Sequence, residues 1–182
     1  MTTEPLQTAT LAGGCFWCLE AVFEQVRGVE RVVSGYTGGQ LDNPSYEAVC
    51  GGETGHAEAV QLSFNPARVS YEELLALFFS IHDPTTPNRQ GNDVGSQYRS
   101  AIFFHNPAQL QEARKMIAGL DAMHIWRSPI VTELAEAQVF YPAETFHQHF
   151  YARHPEQGYC QAVIAPKLAK FRVHFTRLVK TP

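Results

Sequence analysis

Two cysteines, Cys15 and Cys18, lie one helical turn apart, where an apolar, strand-like segment ends and a helix-like one begins. A cysteine at a helix N-terminus lies among unpaired backbone N–H groups, and these groups and the helix dipole stabilise an anion. We therefore expect the Cys15 thiolate to form more easily than that of free cysteine. Phe16 and Trp17 add two large aromatic side chains beside this sulfur, which favours a small apolar ligand. The pattern indicates sulfur chemistry.

Three functions fit a Cys-x-x-Cys motif. Redox or nucleophilic chemistry at Cys15 is favoured by its place at a helix start. A thioredoxin-like thiol–disulfide oxidoreductase would use the same two cysteines. A zinc-binding interaction module would need further ligands, such as Cys160 with His147 or His149, but the paired spacing of a second half-site is missing. Cys50 has no partner in the pattern, and we interpret it as structural.

Four further polar residues are candidates for a site. Glu58 lies among apolar residues, where burial would raise its pKa and keep a proton available, although it could instead be solvated on the polar face of an edge strand. Tyr46 and Tyr98 could donate phenolic hydrogen bonds to a substrate oxygen, or pack as amphipathic core residues. Asp93, in a long loop over 83–97, could hold that loop or a water, or form a turn with its own backbone.

The composition predicts one soluble globular domain over residues 1–182. Hydrophobic residues make up 45% of the chain and charged residues 18%, and the net charge is −4. The absence of a basic run argues against binding to nucleic acid or to a membrane surface. The N-terminus is short and polar, unlike a signal peptide, and no apolar stretch approaches the roughly 20 residues of a membrane helix. We expect a cytoplasmic location.

The predicted elements alternate between strands and helices. Strands are predicted over 7–12, 29–36, 57–64, 98–104 and 130–135, and helices over 15–27, 71–81, 107–120 and 142–151. Ser70 and Glu73 match a capping box. The basic stretch over 159–180 is predicted to be helical after Pro166. This order matches a ferredoxin-like split β-α-β core in an α+β, two-layer sandwich.

Four motifs follow one another along the chain. They are Gly-Cys-Phe-Trp at 14–17, Gly-His-Ala-Glu at 55–58, Asn-Asp-Val-Gly-Ser-Gln-Tyr-Arg-Ser at 92–100 and Ala-Glu-x-x-His-Gln at 143–148. Together they resemble the type A peptide methionine sulfoxide reductases, over about residues 8 to 172. The resemblance implies an oxidoreductase that reduces the S epimer of methionine sulfoxide, free or in proteins, and so repairs proteins under oxidative stress.

The resemblance also implies a role for each site residue. Cys15 would attack the sulfoxide sulfur and become a sulfenic acid, while a protonated Glu58 donates to the sulfoxide oxygen. Tyr46 and Tyr98 would hydrogen-bond that oxygen, and Asp93 would orient the site and its water. The substrate methyl group would bind in a pocket made by two aromatic residues, with a histidine in support: Phe16, Trp17 and His147.

The cysteine that resolves the sulfenic acid stays open between two candidates. Most relatives carry glycine at position 18, where this chain has Cys18, whereas Cys160 has a family-like position but an apolar rather than glycine-rich segment after it. The resemblance implies that thioredoxin reduces the resulting disulfide and that no metal or organic cofactor is needed. We expect a monomer whose C-terminal segment, about 156–182, packs on or near the site.

Overall fold

A six-stranded sheet forms the centre of the computed structural model, which describes residues 4–182. The strands are β1 (Gln7–Gly13), β2 (Val29–Thr37), β3 (Ala57–Phe64), β4 (Arg89–Gln90), β5 (Asp93–Val94), β6 (Ser100–Phe104), β7 (Glu133–Glu136) and β8 (Tyr141–Pro142). The sheet order is β7-β6-β1-β3-β2-β8, and its pairs are antiparallel except for β6 with β7. The short strands β4 and β5 pair separately in the segment before β6.

In the described part of the chain, six α-helices accompany the sheet. They are α1 (Phe16–Phe23), α2 (Tyr46–Cys50), α3 (Tyr71–Ser80), α4 (Pro107–Ala122), α5 (Phe150–Arg153) and α6 (Ala165–His174). The unit β1-α1-β2-β3-α3-β6 gives the spatial order β6-β1-β3-β2, which confirms the predicted split β-α-β core. Within residues 4–182, none of these helices is both long and apolar enough to cross a membrane.

The main core lies between the sheet and the helices on one of its faces. It joins buried residues of β1 and β3, such as Leu11 and Leu62, to Leu19 of α1, Phe78 of α3 and Phe171 of α6. The opposite face carries a smaller cluster of alanines around Phe103, covered by the segment that leads into β8. The two-layer α+β arrangement therefore agrees with the sequence prediction.

Helix α3 shows how local sequence fixes an element. The Glu73 N–H donates to Ser70 Oγ at 3.1 Å, and the Ser70 N–H donates to Glu73 Oε2 at 2.8 Å. This confirms the predicted capping box, which is worth about 1 kcal/mol. Leu74 and Phe78, one turn apart, are both buried against the sheet.

Two predicted helices differ from the observed ones because tertiary partners take their backbone groups. The helix predicted over 15–27 ends at Phe23, since Val26 pairs with Val179 near the C-terminus. The helix predicted over 142–151 is wrong for most of its length. Pro142 pairs with β2, a 3₁₀ turn spans Thr145–His147, and α5 begins only after His149, whose φ of 56° is left-handed.

Candidate active site

A tight turn between β1 and α1 places the first cysteine of the motif. Gly14 has φ 93°, and a Cβ there would lie 2.6 Å from the Gln90 side chain, so glycine fits both the backbone and the space. Cys15 follows as the residue that caps α1, and its carbonyl accepts the Cys18 N–H at 3.1 Å. The Cys15 side chain is buried, with 9% of its surface exposed.

The ionisation of the cysteine pair differs from the sequence expectation. Burial, followed by the hydrogen bond to Cys18, raises the pKa of Cys15, and the Trp17 N–H only partly offsets this. Cys18 has its pKa lowered to about 7, mainly by hydrogen bonding from Cys15 and further by the Lys167 cation and the Tyr159 hydroxyl. The expectation that Cys15 ionises more easily than free cysteine is therefore wrong, because the helix start is buried.

Glu58 is a buried acid beside the cysteines. It lies on β3, between β1 and β2, with 1% of its surface exposed, so it is not solvated on an edge strand. Its Oε1 accepts the Phe16 N–H at 3.2 Å. Burial raises the pKa of Glu58 to about 8, and nearby Asp93 adds to the effect. The carboxyl therefore holds its proton at neutral pH.

A cluster of aromatic rings surrounds Phe16 and Trp17. Trp17 stacks on Phe150 with ring centroids 3.7 Å apart, and its Nε1–H donates to His147 Nδ1 at 3.1 Å. The His147 ring lies 5.2 Å from that of Phe16 and 4.3 Å from that of Tyr46. His147 is 1% exposed, and burial lowers its pKa, so it accepts the indole N–H as a neutral ring. The structure thus brings these four predicted residues together.

Tyr46 and Tyr98 lie near Glu58 on two short elements. Tyr46 begins α2, and its backbone N–H donates to Glu144 Oε2 at 3.0 Å. Tyr98 ends a 3₁₀ turn over Ser96–Tyr98, before the strand that was predicted to include it. Burial is the main cause that raises the pKa of both tyrosines, and Glu58 also contributes to each. Both hydroxyls are therefore neutral donors. Sequence reasoning missed Glu144 as an individual residue, although it belongs to the fourth motif.

A cavity of about 330 Å³ opens beside the two cysteines. Asp93, on β5, accepts the Tyr159 hydroxyl at Oδ2 over 3.0 Å, and the same hydroxyl lies 3.6 Å from Cys18 Sγ. Lys167 lines the cavity from α6. The sequence pattern included Tyr159 only as a neighbour of Cys160, and it gave no role to Lys167.

The remaining cysteines and histidines occupy different surroundings. Cys160 is fully buried in a π-helical turn over Cys160–Ile164, whereas Cys50 is exposed at the end of α2. Across the described range 4–182, the metal-ligating side chains close enough to share an ion are Glu20, Glu24 and His149. The cysteine-based zinc set considered from the sequence does not come together.

The comparisons with known proteins agree with this geometry. The family model described as peptide methionine sulfoxide reductase matches residues 7–178. The peptide methionine sulfoxide reductase MsrA of Chromobacterium violaceum is 55% identical over 175 residues, which cover 96% of this chain and 99% of that protein.

Solved structures give the same result. Mxr1 from Saccharomyces cerevisiae in reduced form is similar with a TM-score of 0.79 and 35% identity, over 87% of this chain and 91% of that one. Mxr1 in complex with Trx2 is similar with a TM-score of 0.56 and 26% identity, over 82% and 87%. The chain therefore belongs to the peptide methionine sulfoxide reductase family, as its four motifs predict.

Proposed function

We propose that this protein reduces methionine-S-sulfoxide, free or within proteins, through Cys15 as nucleophile and Glu58 as acid. The observation that carries the proposal is the buried Glu58 carboxyl, which accepts the N–H of Phe16, the residue next to the buried Cys15. A sulfoxide sulfur is a poor electrophile until its oxygen is protonated or strongly hydrogen-bonded, and Glu58 is held in the protonation state that this step needs.

The first step transfers oxygen from sulfur to sulfur. The Cys15 proton passes to the neighbouring Cys18 thiolate, Cys15 attacks the sulfoxide sulfur, and Glu58 donates its proton to the oxygen. The bond that the attack forms between the two sulfurs then breaks as the protonated oxygen moves from the substrate sulfur to Cys15. The substrate S–O bond is lost and a Cys15 S–O bond is gained, so the substrate sulfur is reduced by two electrons and Cys15 is oxidised to a sulfenic acid. Glu58 then regains a proton from solvent.

The surrounding residues orient the substrate. Phe16 and Trp17 hold its methyl group, with His147 supporting the indole ring. Tyr46 and Tyr98, both neutral, donate to the sulfoxide oxygen, and Asp93 positions the site through Tyr159. A methyl pocket alone discriminates by about 1–3 kcal/mol, so the choice of the S epimer rests mainly on where these oxygen donors lie.

The second half-reaction regenerates the enzyme. Cys18 or Cys160 condenses with the sulfenic acid, and thioredoxin reduces the disulfide, a role supported by the complex of yeast Mxr1 with Trx2. Neither a metal nor an organic cofactor takes part. The protein acts as a cytoplasmic monomer, with residues 1–182 as one catalytic domain and a C-terminal segment of about 156–182 at the site.

A coupled assay tests the proposal. Methionine-S-sulfoxide should drive NADPH oxidation in the presence of thioredoxin and thioredoxin reductase. Cys15→Ser should abolish this activity, and Cys50→Ser, at the exposed cysteine, should retain it. Rapid reduction of insulin by this protein, with no sulfoxide-dependent turnover, would overturn the proposal in favour of the thioredoxin-like alternative.

A further inference from the structure

Three side chains at a helical spacing face the cavity beside Cys18. Tyr159, Val163 and Lys167 are each four residues apart and all line this cavity of about 330 Å³. Such a spacing puts side chains on one face of a helix. The helical segment over 158–174, which includes the π-helical turn and α6, therefore presents a hydroxyl, an apolar group and an ammonium group along the cysteine cavity.

Lys167 has no carboxylate partner of its own. The side chain is half-buried, and in the described part of the chain no carboxylate oxygen lies within 4.0 Å of its ammonium group. Burying a cation halfway without such a partner costs free energy of folding unless a negative charge lies near it. The Cys18 sulfur lines the same cavity and can carry that negative charge, and the Lys167 cation in turn lowers the pKa of the Cys18 thiol.

The groups that surround Cys18 come from five parts of the fold. Those that are titratable or charged are Cys15, Glu58 on β3, Asp93 on β5, Tyr159 and Cys160 in the C-terminal segment, and Lys167 on α6. Within this set Lys167 supplies the positive charge, whereas Asp93 opposes ionisation of Cys18. The Tyr159 hydroxyl donates to Asp93 and lies 3.6 Å from the Cys18 sulfur, so it connects the Asp93 carboxylate to the Cys18 side chain.

We propose that Lys167 is a positioning residue that keeps Cys18 as a thiolate, so that Cys18 is the cysteine that condenses with the Cys15 sulfenic acid. This inference rests on the proposed function, which supplies the sulfenic acid. Cys18 gives up to solvent the proton that it took from Cys15, and its thiolate then attacks the Cys15 sulfur, so that the S–S bond forms and the S–O bond breaks. The leaving oxygen carries away the electron pair as hydroxide and takes a proton to become water.

Cys160 is placed less well for this attack. It is fully buried, and burial raises its pKa, with the nearby Cys18 adding to the effect. A thiol that keeps its proton is a poor nucleophile at neutral pH. The Cys15–Cys18 pair needs no movement of the C-terminal segment, although the first turn of α1 must loosen to reach disulfide geometry.

The test is a single turnover of the fully reduced protein with methionine-S-sulfoxide and no reductant, from pH 6 to pH 9. Methionine release reports the oxygen transfer, dimedone trapping of the sulfenic acid reports its condensation, and mass analysis of peptides identifies whether Cys18 or Cys160 is joined to Cys15. Lys167→Met and Lys167→Gln remove the charge, whereas Lys167→Arg keeps it. Lys170→Met is the matched control, because it removes from the same helix one positive charge that is exposed, donates to the Ser80 carbonyl and does not line the cavity. Thiolate absorbance against pH gives the thiol pKa of each variant.

The expected result is a pH profile that crosses that of the wild type. Loss of the cation should raise the Cys18 pKa by roughly 1 unit, which is the lower end of the effect of a nearby opposite charge. Because a more basic thiolate is also more nucleophilic, condensation in the neutral variants should be about threefold slower at pH 6 but about twofold faster at pH 9. The arginine variant and Lys170→Met should follow the wild type, and methionine should be released in full by all of them.

Three outcomes would contradict these claims. Condensation at the wild-type rate across the whole pH range in either neutral variant would refute the role of Lys167, even though methionine is released. A uniform slowing at every pH in the neutral variants would also refute it, since that indicates a structural effect. If the wild-type protein releases no methionine, the proposed function fails instead.

Discussion

Glu58→Gln should make the protein more stable and less active, and the gain in stability should depend on pH. The glutamine side chain has nearly the same shape but cannot ionise or supply a proton to the sulfoxide oxygen. General acid catalysis is typically worth about 100-fold to 10,000-fold, so kcat/KM should fall by that order. In the wild type, activity that depends on the protonated acid should also fall as the pH rises through about 8.

The size of the stability effect follows from the raised pKa of Glu58. Its ordinary value is 4.5 and its value in the folded protein is about 8. Below pH 4.5 the carboxyl holds its proton in both the folded protein and the unfolded chain, so it does not make the free energy of unfolding depend on pH. Between these values the unfolded chain is ionised while the folded protein holds the proton, and the wild type loses about 1.4 kcal/mol of unfolding free energy per pH unit. The loss is complete above pH 8 and amounts to at most about 5 kcal/mol.

Urea unfolding at pH 5, 6, 7 and 8, followed by fluorescence of the two tryptophans, measures this difference. The free energy of unfolding of Glu58→Gln, relative to that of the wild type, should increase from each of these pH values to the next, whatever the difference is at pH 5. Glu30→Gln is the matched control, because Glu30 is an exposed strand residue and the same chemical change there should give one constant difference. A constant difference for Glu58→Gln as well would refute the claim that this carboxyl is held protonated.

Three further predictions concern other parts of the fold. Ser70→Ala removes the capping box of α3 and should lower the free energy of unfolding by about 1 kcal/mol in urea titrations; no change would contradict the cap assignment. Trp17→Phe removes the indole donor to His147 and should raise KM for methionine-S-sulfoxide several-fold with kcat nearly kept, so an unchanged KM would argue against the pocket. Ser34→Ala removes a hydrogen bond to buried Glu20, whose pKa burial raises to about 6, and should cost about 1–3 kcal/mol at pH 8 and less at pH 5, in paired urea titrations. An equal loss at both pH values would contradict the ionisation of that carboxyl.

Most of the core fold follows from local sequence signals. Alternating apolar residues predict β3 and most of β1 and β2, and the capping box predicts α3 to within a residue. The elements that sequence reasoning missed or misplaced depend on distant partners. The Ala143 N–H donates to the Ser34 carbonyl of β2, so the segment after β8 begins as a sheet edge rather than a helix. Helix α2 is five residues long, too short for a periodic pattern.

The four motifs name residues that the structure brings close together, but the sequence did not predict their protonation states. Motif recognition identifies Cys15 and Glu58, and the buried strand position of Glu58 gives its raised pKa. The same reasoning gave the wrong direction for Cys15, since a helix dipole is visible in a sequence and the burial of the helix start is not. The helical spacing of Tyr159 and Lys167 can be read from the sequence as well. The sequence does not show that α6 packs with these side chains at the cysteine cavity.

The most direct measurement counts methionine released per molecule of reduced protein, with no reductant present, from each sulfoxide epimer separately. We predict at least one equivalent from the S epimer and none from the R epimer, together with a disulfide that mass analysis of peptides locates at Cys15. Methionine from neither epimer, or in equal amounts from both, would contradict the assignment of Cys15 and Glu58 as the groups that reduce methionine-S-sulfoxide.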